Sequence, residues 1–229
     1  MNKRGTHVEI IISFIIFIIF LVFVLAAIKS PVTNVEDKKD TFDSIEMGIL
    51  EQVSADMTTL TVNIGDESEL CLSLNNFLSL SNIGPNIIVK DYYENVVPAH
   101  VNGDSLEITR ESTEDTFFKI YYSEEFNPLG SGSGCTGVSN YDIGFTKTDE
   151  YVFEDKFTDF LNQDYGTARN LLKVPEGTEF GYGIVLADKS VEETTQQEVS
   201  TNIYIRETPV EYIDSDGNIL EGYVRTKIW

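Results

Sequence analysis

Residues 1–30 read MNKRGTHVEIIISFIIFIIFLVFVLAAIKS, and they decide the fold prediction because they divide the chain into an apolar segment and a polar remainder. From Ile10 to Ile28 the only polar residue is Ser13. A helix of this length covers roughly 28 Å at about 1.5 Å per residue, close to the hydrocarbon thickness of a bilayer. The sequence therefore predicts a cytoplasmic leader and an N-terminal transmembrane α-helix within residues 1–30.

The residues flanking the apolar run predict its orientation and its fate. Lys3 and Arg4 precede the run, which places the N-terminus in the cytoplasm and the rest of the chain outside the cell. A cleavable signal has an apolar region of about 7–15 residues, shorter than this one, so a retained anchor is favoured. The expected location is the cell membrane, with a single pass and an extracellular main domain.

The segment KRGTHVEIIISFIIFIIF, residues 3–20, resembles the N-terminus of archaeal type IV pilin-like proteins. The resemblance implies that a peptidase cuts after Gly5 and leaves Thr6 as the new N-terminus. It also implies that Glu9 pairs with a neighbouring subunit's free amino terminus and that the apolar helices form the core of a filament. The implied partners are copies of the chain itself or related pilin-like subunits.

Four phenylalanines give the apolar run a regular feature. Phe14, Phe17, Phe20 and Phe23 recur every three residues and form a slanting ridge along a helix. Such a ridge can contact membrane lipid or sibling helices, and the sequence leaves both partners open. These four residues, with Glu9, are the candidate assembly residues.

The net charge excludes one class of function. The chain carries 38 acidic and 16 basic residues, for a net charge of -22. A surface this acidic repels phosphate backbones, so nucleic acid is not an expected partner.

Beyond residue 30 the sequence predicts a short connecting region and then a large domain. Ser30-Pro31 is expected to end the first helix, because proline lacks an amide donor and disfavours a helical residue before it. Residues 31–56 then read as a spacer and an amphipathic helix whose apolar face holds Ile45, Ile49, Leu50 and Val53. Residues 57–229 form the predicted β-rich extracytoplasmic domain.

This domain shows strand periodicity and two hairpin signals. Short alternating stretches rich in Val, Ile, Thr, Tyr and Phe predict strands, and Asn102-Gly103 and Asp216-Gly217 predict hairpin turns. A helical stripe over 153–174 predicts one helix, weakened at Gly166. The expected fold class is a mainly-β (α+β) domain, an antiparallel sheet or sandwich with one or two packed helices.

The two cysteines, Cys71 and Cys135, both lie in this domain. One pair in an exported domain predicts a single disulfide. The alternative is two separate thiols, with Cys71 a small apolar residue in the strand ELCLSL.

The sequence shows little sign of a catalytic site. His7 and His100 are the only histidines, too few for a zinc site built on several imidazoles, so no metal and no cofactor are predicted. A Cys135–His100 nucleophilic pair has no supporting motif, and a disulfide would consume its thiol. The tract DSDGN, residues 214–218, reads as a hairpin turn, with weak calcium binding as the alternative.

Together these features predict a protein that is not an enzyme. The expected function is that of a membrane-anchored, pilin-like structural subunit that assembles through its apolar helix. The first alternative is a solitary membrane-tethered binding or adhesion module, and a secreted or tethered hydrolase is a third.

Overall fold

The chain begins its regular structure with one long helix, α1 (Gly5–Val53), of 49 residues. The computed structural model describes residues 5–132, 134–194 and 202–229, and within α1 it describes side chains for residues 10–25 and from residue 38 onward. The predicted helix end at Ser30-Pro31 is wrong, because the helix continues through both residues. Proline inside a helix costs about 3 kcal/mol, whereas a break would add two helix ends with unpaired backbone groups and a second nucleation.

The predicted transmembrane helix is also wrong. Over the residues that the structure describes, no helix combines the length and the hydropathy that crossing a membrane requires. Glu9, Gly5 and Thr6 lie in the first turns of α1, and their side chains lie outside the described set, as do residues 1–4.

The remainder of the described chain is mainly β, as predicted. Its strands fall into two sheets, and three short helices lie in the connections between strands. In chain order the elements are β1 (Ser54–Asn63), β2 (Cys71–Leu74), α2 (Phe77–Ser81), β3 (Ile87–Lys90), β4 (Ala99–Asn102), β5 (Ser105–Thr109), β6 (Phe117–Tyr122), β7 (Thr136–Val138), β8 (Asp142–Phe153), α3 (Glu154–Leu161), α4 (Tyr165–Leu171), β9 (Phe180–Val185), β10 (Val191–Glu193), β11 (Tyr204–Ile213) and β12 (Ile219–Ile228).

The larger sheet has eight strands in the order β10-β9-β12-β11-β8-β1-β6-β3, and the smaller has four in the order β4-β5-β2-β7. Most neighbours are antiparallel, but β8 pairs with β11, and β2 with β7, in parallel. The β8–β11 pairing is short and joins only Val152 with Tyr212 and Phe153 with Ile213. This junction divides the large sheet into two four-stranded halves.

Side chains alternate between the two faces of the large sheet, and buried residues lie on both faces. The registers of β1 and β8 place Leu60 and Val152 on a first face, and Met57 and Phe153 on a second. On the first face, α1, α3 and α4 cover the half that contains β11 and β12, and the small sheet covers the half that contains β3 and β6. The second face carries a smaller cluster that includes Tyr121, Phe126 and Ile213.

The predicted hairpins are confirmed, but the predicted single helix over 153–174 is two helices. Asn102 and Ser105 close the β4–β5 hairpin, and β11 and β12 pair along their full length. Between α3 and α4 the chain turns at Asp164, whose carboxylate accepts the backbone N–H of Gly166 and of Thr167 and thus begins α4. By accepting hydrogen bonds from the first free N–H groups of α4, Asp164 stabilises the start of a new helix over continuation of α3.

Candidate functional site

The N-terminal part of α1 is an apolar rod that nothing in the described structure covers. Between Ile10 and Leu25 every described side chain except Val24 is exposed. The four phenylalanines of the predicted ridge are 62%, 56%, 62% and 71% exposed at Phe14, Phe17, Phe20 and Phe23. Apolar residues occupy all sides of this segment, and a helix that is apolar all round is normally buried on all sides. The segment is therefore a candidate contact surface, which we call the apolar rod (residues 10–25).

The C-terminal part of α1 is held firmly in the domain. Ile45, Ile49 and Val53 are fully buried against α3, α4 and the large sheet. Gly48 permits this approach, because a Cβ at that position would lie 3.0 Å from Leu172 Cδ2. The apolar rod is thus continuous with a helix segment that is part of the hydrophobic core.

Charged contacts between α1 and β11 reinforce this anchorage. Arg206, on β11, forms an ion pair with Asp43, and its Nε lies 3.3 Å from Glu46 Oε2. The hydrogen bond with Asp43 raises the pKa of the Arg206 guanidinium. One turn earlier, Lys38 Nζ lies 3.3 Å from the ring centroid of Tyr204, a cation–π contact. These contacts connect α1 to the last hairpin.

The predicted disulfide between Cys71 and Cys135 is confirmed, with the two Cα atoms 5.0 Å apart. It ties β2 to the loop before β7 and leaves no free thiol on Cys135 for a pair with His100. Next to it lies Glu107, which is only 2% exposed. Its carboxylate accepts the side-chain N–H of Asn102 at 3.0 Å and the backbone N–H of Cys135 at 3.4 Å.

Arg110 is a buried cation that stabilises loops and is not free for a ligand. Its guanidinium donates to the backbone carbonyls of Glu69, Thr113 and Asp115 at 2.9–3.0 Å, and also to that of Glu67. A cavity of about 410 Å³ borders it, with Asp91, Asp115 and Phe118 in the wall. Because the guanidinium already has four carbonyl partners, this cavity offers no unpaired cation to an anionic ligand.

A second polar cluster lies on the second face of the large sheet, around Lys90. This lysine ends β3, and it is 1% exposed. Its Nζ donates to Gly217 O at 3.0 Å and to Asn218 Oδ1 at 2.7 Å, and it lies 5.5 Å from the centroid of the Tyr121 ring. Loss of hydration lowers the pKa of Lys90, although Glu94, Asp214 and Asp216 act in the opposite direction.

The DSDGN tract forms the predicted turn, and Asp214 organises it. The Asp214 carboxylate accepts the backbone N–H of Asp216 at 3.0 Å and of Asn218 at 2.8 Å. Its other oxygen accepts the side-chain N–H of Asn218 at 2.7 Å. The turn lies over β3, because a Cβ on Gly217 would be 3.0 Å from Ile88 Cδ1.

Glu94, in the loop after β3, contacts two residues of β6. The Tyr121 hydroxyl donates to Glu94 Oε2 at 3.0 Å, and Lys119 forms an ion pair with the same carboxylate. Burial and this hydrogen bond raise the pKa of Tyr121. The sequence predicted the turn at residues 214–218 but not its contact with Lys90, because a lysine after the apolar run NIIV resembles an ordinary polar strand end.

The sequence-predicted site residues therefore separate into distinct regions of the structure. The four phenylalanines lie on the apolar rod, the two cysteines are joined in the β-rich domain, and Glu9 lies on α1 before the rod. Within the described part of the chain, no group of three or more His, Cys, Asp or Glu side chains is placed to hold a metal ion.

Comparison with known proteins gives no match to a family model, a curated protein or a solved structure.

Proposed function

We propose that this chain is a structural subunit that assembles with copies of itself through the apolar rod of α1. The observation that supports the proposal is the exposure of apolar side chains on every side of a helix whose other end is fixed in a hydrophobic core. Contiguous exposed apolar surface of this extent is uncommon on monomeric proteins and marks an interaction site.

The arrangement of the apolar residues favours several neighbouring helices over a single partner. A narrow apolar stripe would suit a two-helix seam, whereas the rod has no polar side that would remain in water. Rods from several copies cover each other on all sides. The acidic domains, with a chain net charge of -22, repel one another and lie around the outside of such a bundle.

Glu9 has the role that the resemblance to archaeal type IV pilin-like proteins gives it. In the proposed assembly its carboxylate pairs with the amino terminus of a neighbouring copy inside the bundle. We place the β-rich domain outside the cell as part of the same proposal, and the Cys71–Cys135 bridge supports this, because disulfides persist in oxidising compartments.

The test compares a charge on the apolar rod with the same charge on the β-rich domain. Phe17→Asp puts a carboxylate into the proposed bundle, and Leu80→Asp puts one at an equally apolar site on α2, where Leu80 is 66% exposed. Burying one phenylalanine contributes about 1.5–3 kcal/mol, and each 1.4 kcal/mol is about tenfold in affinity. We expect Phe17→Asp to weaken self-association at least about tenfold by sedimentation, with Leu80→Asp like the wild type.

A second pair of variants tests Glu9. We expect Glu9→Ala to reduce assembly, and Glu51→Ala, an exposed glutamate further along the same helix, to leave it unchanged. A full-length chain that remains monomeric in aqueous buffer at all concentrations overturns the proposal. Binding of monomers to phospholipid vesicles without self-association would identify lipid as the partner and would overturn it as well.

A further inference from the structure

Among the described residues, Lys90 is the one buried lysine. Its amine contacts the side chain of Asn218, with which it can react. The second-face cluster brings Lys90 Nζ to 2.7 Å from the carboxamide oxygen of Asn218, although the two residues lie 128 positions apart. On the far side of the same carboxamide, Asn218 Nδ2 donates to Asp214 Oδ2 at 2.7 Å. The carboxamide thus contacts the amine through its oxygen and a carboxylate through its nitrogen, and Lys90 is almost fully buried.

We propose that Lys90 and Asn218 react with each other to form an amide bond between Lys90 Nζ and Asn218 Cγ, which cross-links β3 to the β11–β12 turn.

The geometry is close to what the reaction requires. A carbonyl bond is about 1.23 Å, so a nitrogen at hydrogen-bond distance from Oδ1 lies within about 4 Å of Cγ. Attack begins from about 3–3.5 Å, so the amine has to approach Cγ by about 1 Å or less. Holding two groups in such proximity corresponds to effective concentrations of about 10⁵–10⁸ M, which favours a reaction between amine and amide that is slow in free solution.

The atoms and charges of the proposed step balance without an added reactant. The neutral Lys90 amine attacks Cγ, the Nζ–Cγ bond forms, and the Cγ–Nδ2 bond breaks. One proton moves from Nζ to the departing nitrogen, which leaves as ammonia. No oxidation or reduction takes place.

Two neighbours of the carboxamide fit this chemistry. Asp214 Oδ2 already accepts a hydrogen bond from Nδ2, so this carboxylate is placed to pass the proton to the departing nitrogen. Burial beside the Tyr121 ring lowers the pKa of Lys90, which increases the fraction of neutral, nucleophilic amine. The remaining charged groups near the amine are Glu94, Asp216 and Lys119.

The bond would stabilise the weakest junction of the large sheet. Only two residue pairs join its halves, at β8 and β11. Lys90 belongs to the outermost strand of one half, and Asn218 to the turn of the hairpin in the other. A covalent bond between them holds both halves together even when this short pairing opens. The inference concerns the β-rich domain and does not depend on the proposed assembly.

The experiment is mass spectrometry of the purified full-length wild-type chain after reduction of the disulfide. We expect an intact mass lower than that of the sequence by one ammonia. Trypsin should leave the bond after Lys90 uncut and release a branched peptide that joins residues 40–110 to residues 207–225. Mapping is needed because cyclisation of an asparagine such as Asn102, which precedes Gly103, also expels ammonia.

Variants establish the chemistry. Lys90→Arg keeps the positive charge and the donors but lacks the amine nucleophile, and Asn218→Ala lacks the carboxamide, so both should have the unmodified mass. Lys156→Arg, at a lysine paired with Glu125, is the matched control and should retain the ammonia loss. Asp214→Asn should slow the appearance of the branched peptide.

The result that overturns the proposal is an unmodified wild-type mass together with normal tryptic cleavage after Lys90. Ammonia loss that maps to any other position, or that persists in Lys90→Arg, overturns it equally. In denaturing gel electrophoresis under reducing conditions the cross-linked wild type should migrate faster than Asn218→Ala, because its unfolded chain contains a closed loop.

Discussion

At the scale of single residues, Glu107 shows how a buried carboxylate can remain charged. Its oxygens accept N–H groups from Asn102, Cys135 and Gly134, and the hydrogen bond from Asn102 is the largest of the effects that lower its pKa below the ordinary value of 4.5. The carboxylate therefore ties the β4–β5 hairpin to the loop that carries the disulfide. A charged acceptor satisfies these donors better than a neutral one.

We expect Glu107→Gln to destabilise the fold by about 1.5–3 kcal/mol at neutral pH, the usual worth of hydrogen bonds to a charged group. Because the pKa is lowered in the folded state, this stabilisation is present above 4.5 and is lost as the pH falls through the lowered pKa. The difference in unfolding free energy between wild type and variant should therefore shrink in acid, as measured by urea unfolding at neutral and at acidic pH.

The exposed residue Glu114 supplies the control for this measurement. Glu114→Gln should differ little from the wild type at either pH. A difference for Glu107→Gln that stays constant from neutral to acidic pH would contradict the assigned role of its charge.

At the residue scale, the sequence predicted the disulfide correctly, but it did not predict which charged residues are buried. A chain with only two cysteines can form only one intramolecular bridge, so Cys71–Cys135 could be predicted. Lys90, Glu107 and Arg110 could not, because charged residues are almost never fully buried unless they are paired. Their partners are distant in the chain, and composition does not reveal them.

At the scale of elements, α1 is one helix in two environments. Its N-terminal part exposes apolar side chains on all sides, whereas its C-terminal part buries one face and exposes the other. The sequence reflected this difference correctly through the positions of Ile45, Ile49 and Val53. The predicted boundary at Pro31 is wrong, because the cooperativity of the helical segments on both sides outweighs the local effect of the proline.

Two neighbouring positions of α1 test the anchorage. Ile45 is fully buried and Met47 is 66% exposed. We expect Ile45→Ala to lower the free energy of unfolding by about 2–5 kcal/mol, because it removes apolar contacts and leaves a cavity. Met47→Ala should change it by no more than about 0.5 kcal/mol. Denaturant unfolding measures both, and equal effects would show that this part of α1 is not part of the core.

The short helices show a similar limit. The apolar stripe over 153–174 is real, since Phe157, Phe160, Ala168 and Leu172 all enter the core. Their spacing cannot distinguish one helix from two that pack on the same surface. The interruption is instead encoded by Asp164, which caps α4 and leaves the apolar spacing unchanged.

At the scale of the whole molecule, the fold depends on contacts between distant segments. The small sheet covers half of the large one, α1 and two short helices cover the other half, and the disulfide fixes the small sheet across a sequence separation of 64 residues. A bridge that closes a long loop stabilises mainly by restricting the unfolded chain.

We expect the double variant Cys71→Ser/Cys135→Ser to lose about 4 kcal/mol of unfolding free energy, the chain-entropy estimate for a loop of this length. Guanidinium unfolding of wild type and variant, each with and without reductant, measures the loss. Reductant should bring the wild type to the stability of the variant and leave the variant unchanged. Equal stability of the oxidised wild type and the variant would contradict the prediction.

The sequence by itself determined the local features of this protein: an apolar N-terminal helix, the alternating strands, the hairpins at Asn102-Gly103 and Asp216-Gly217, and the pairing of its two cysteines. The helix, the strands and the hairpins follow from side-chain periodicity and turn chemistry, which act over a few residues, and the disulfide follows because the chain has only two cysteines. Only the tertiary structure decided that α1 continues past Pro31, that β8 and β11 pair in parallel, and that Lys90 meets Asn218. Those features depend on packing between segments that are far apart in the chain, and no local sequence pattern predicts such packing.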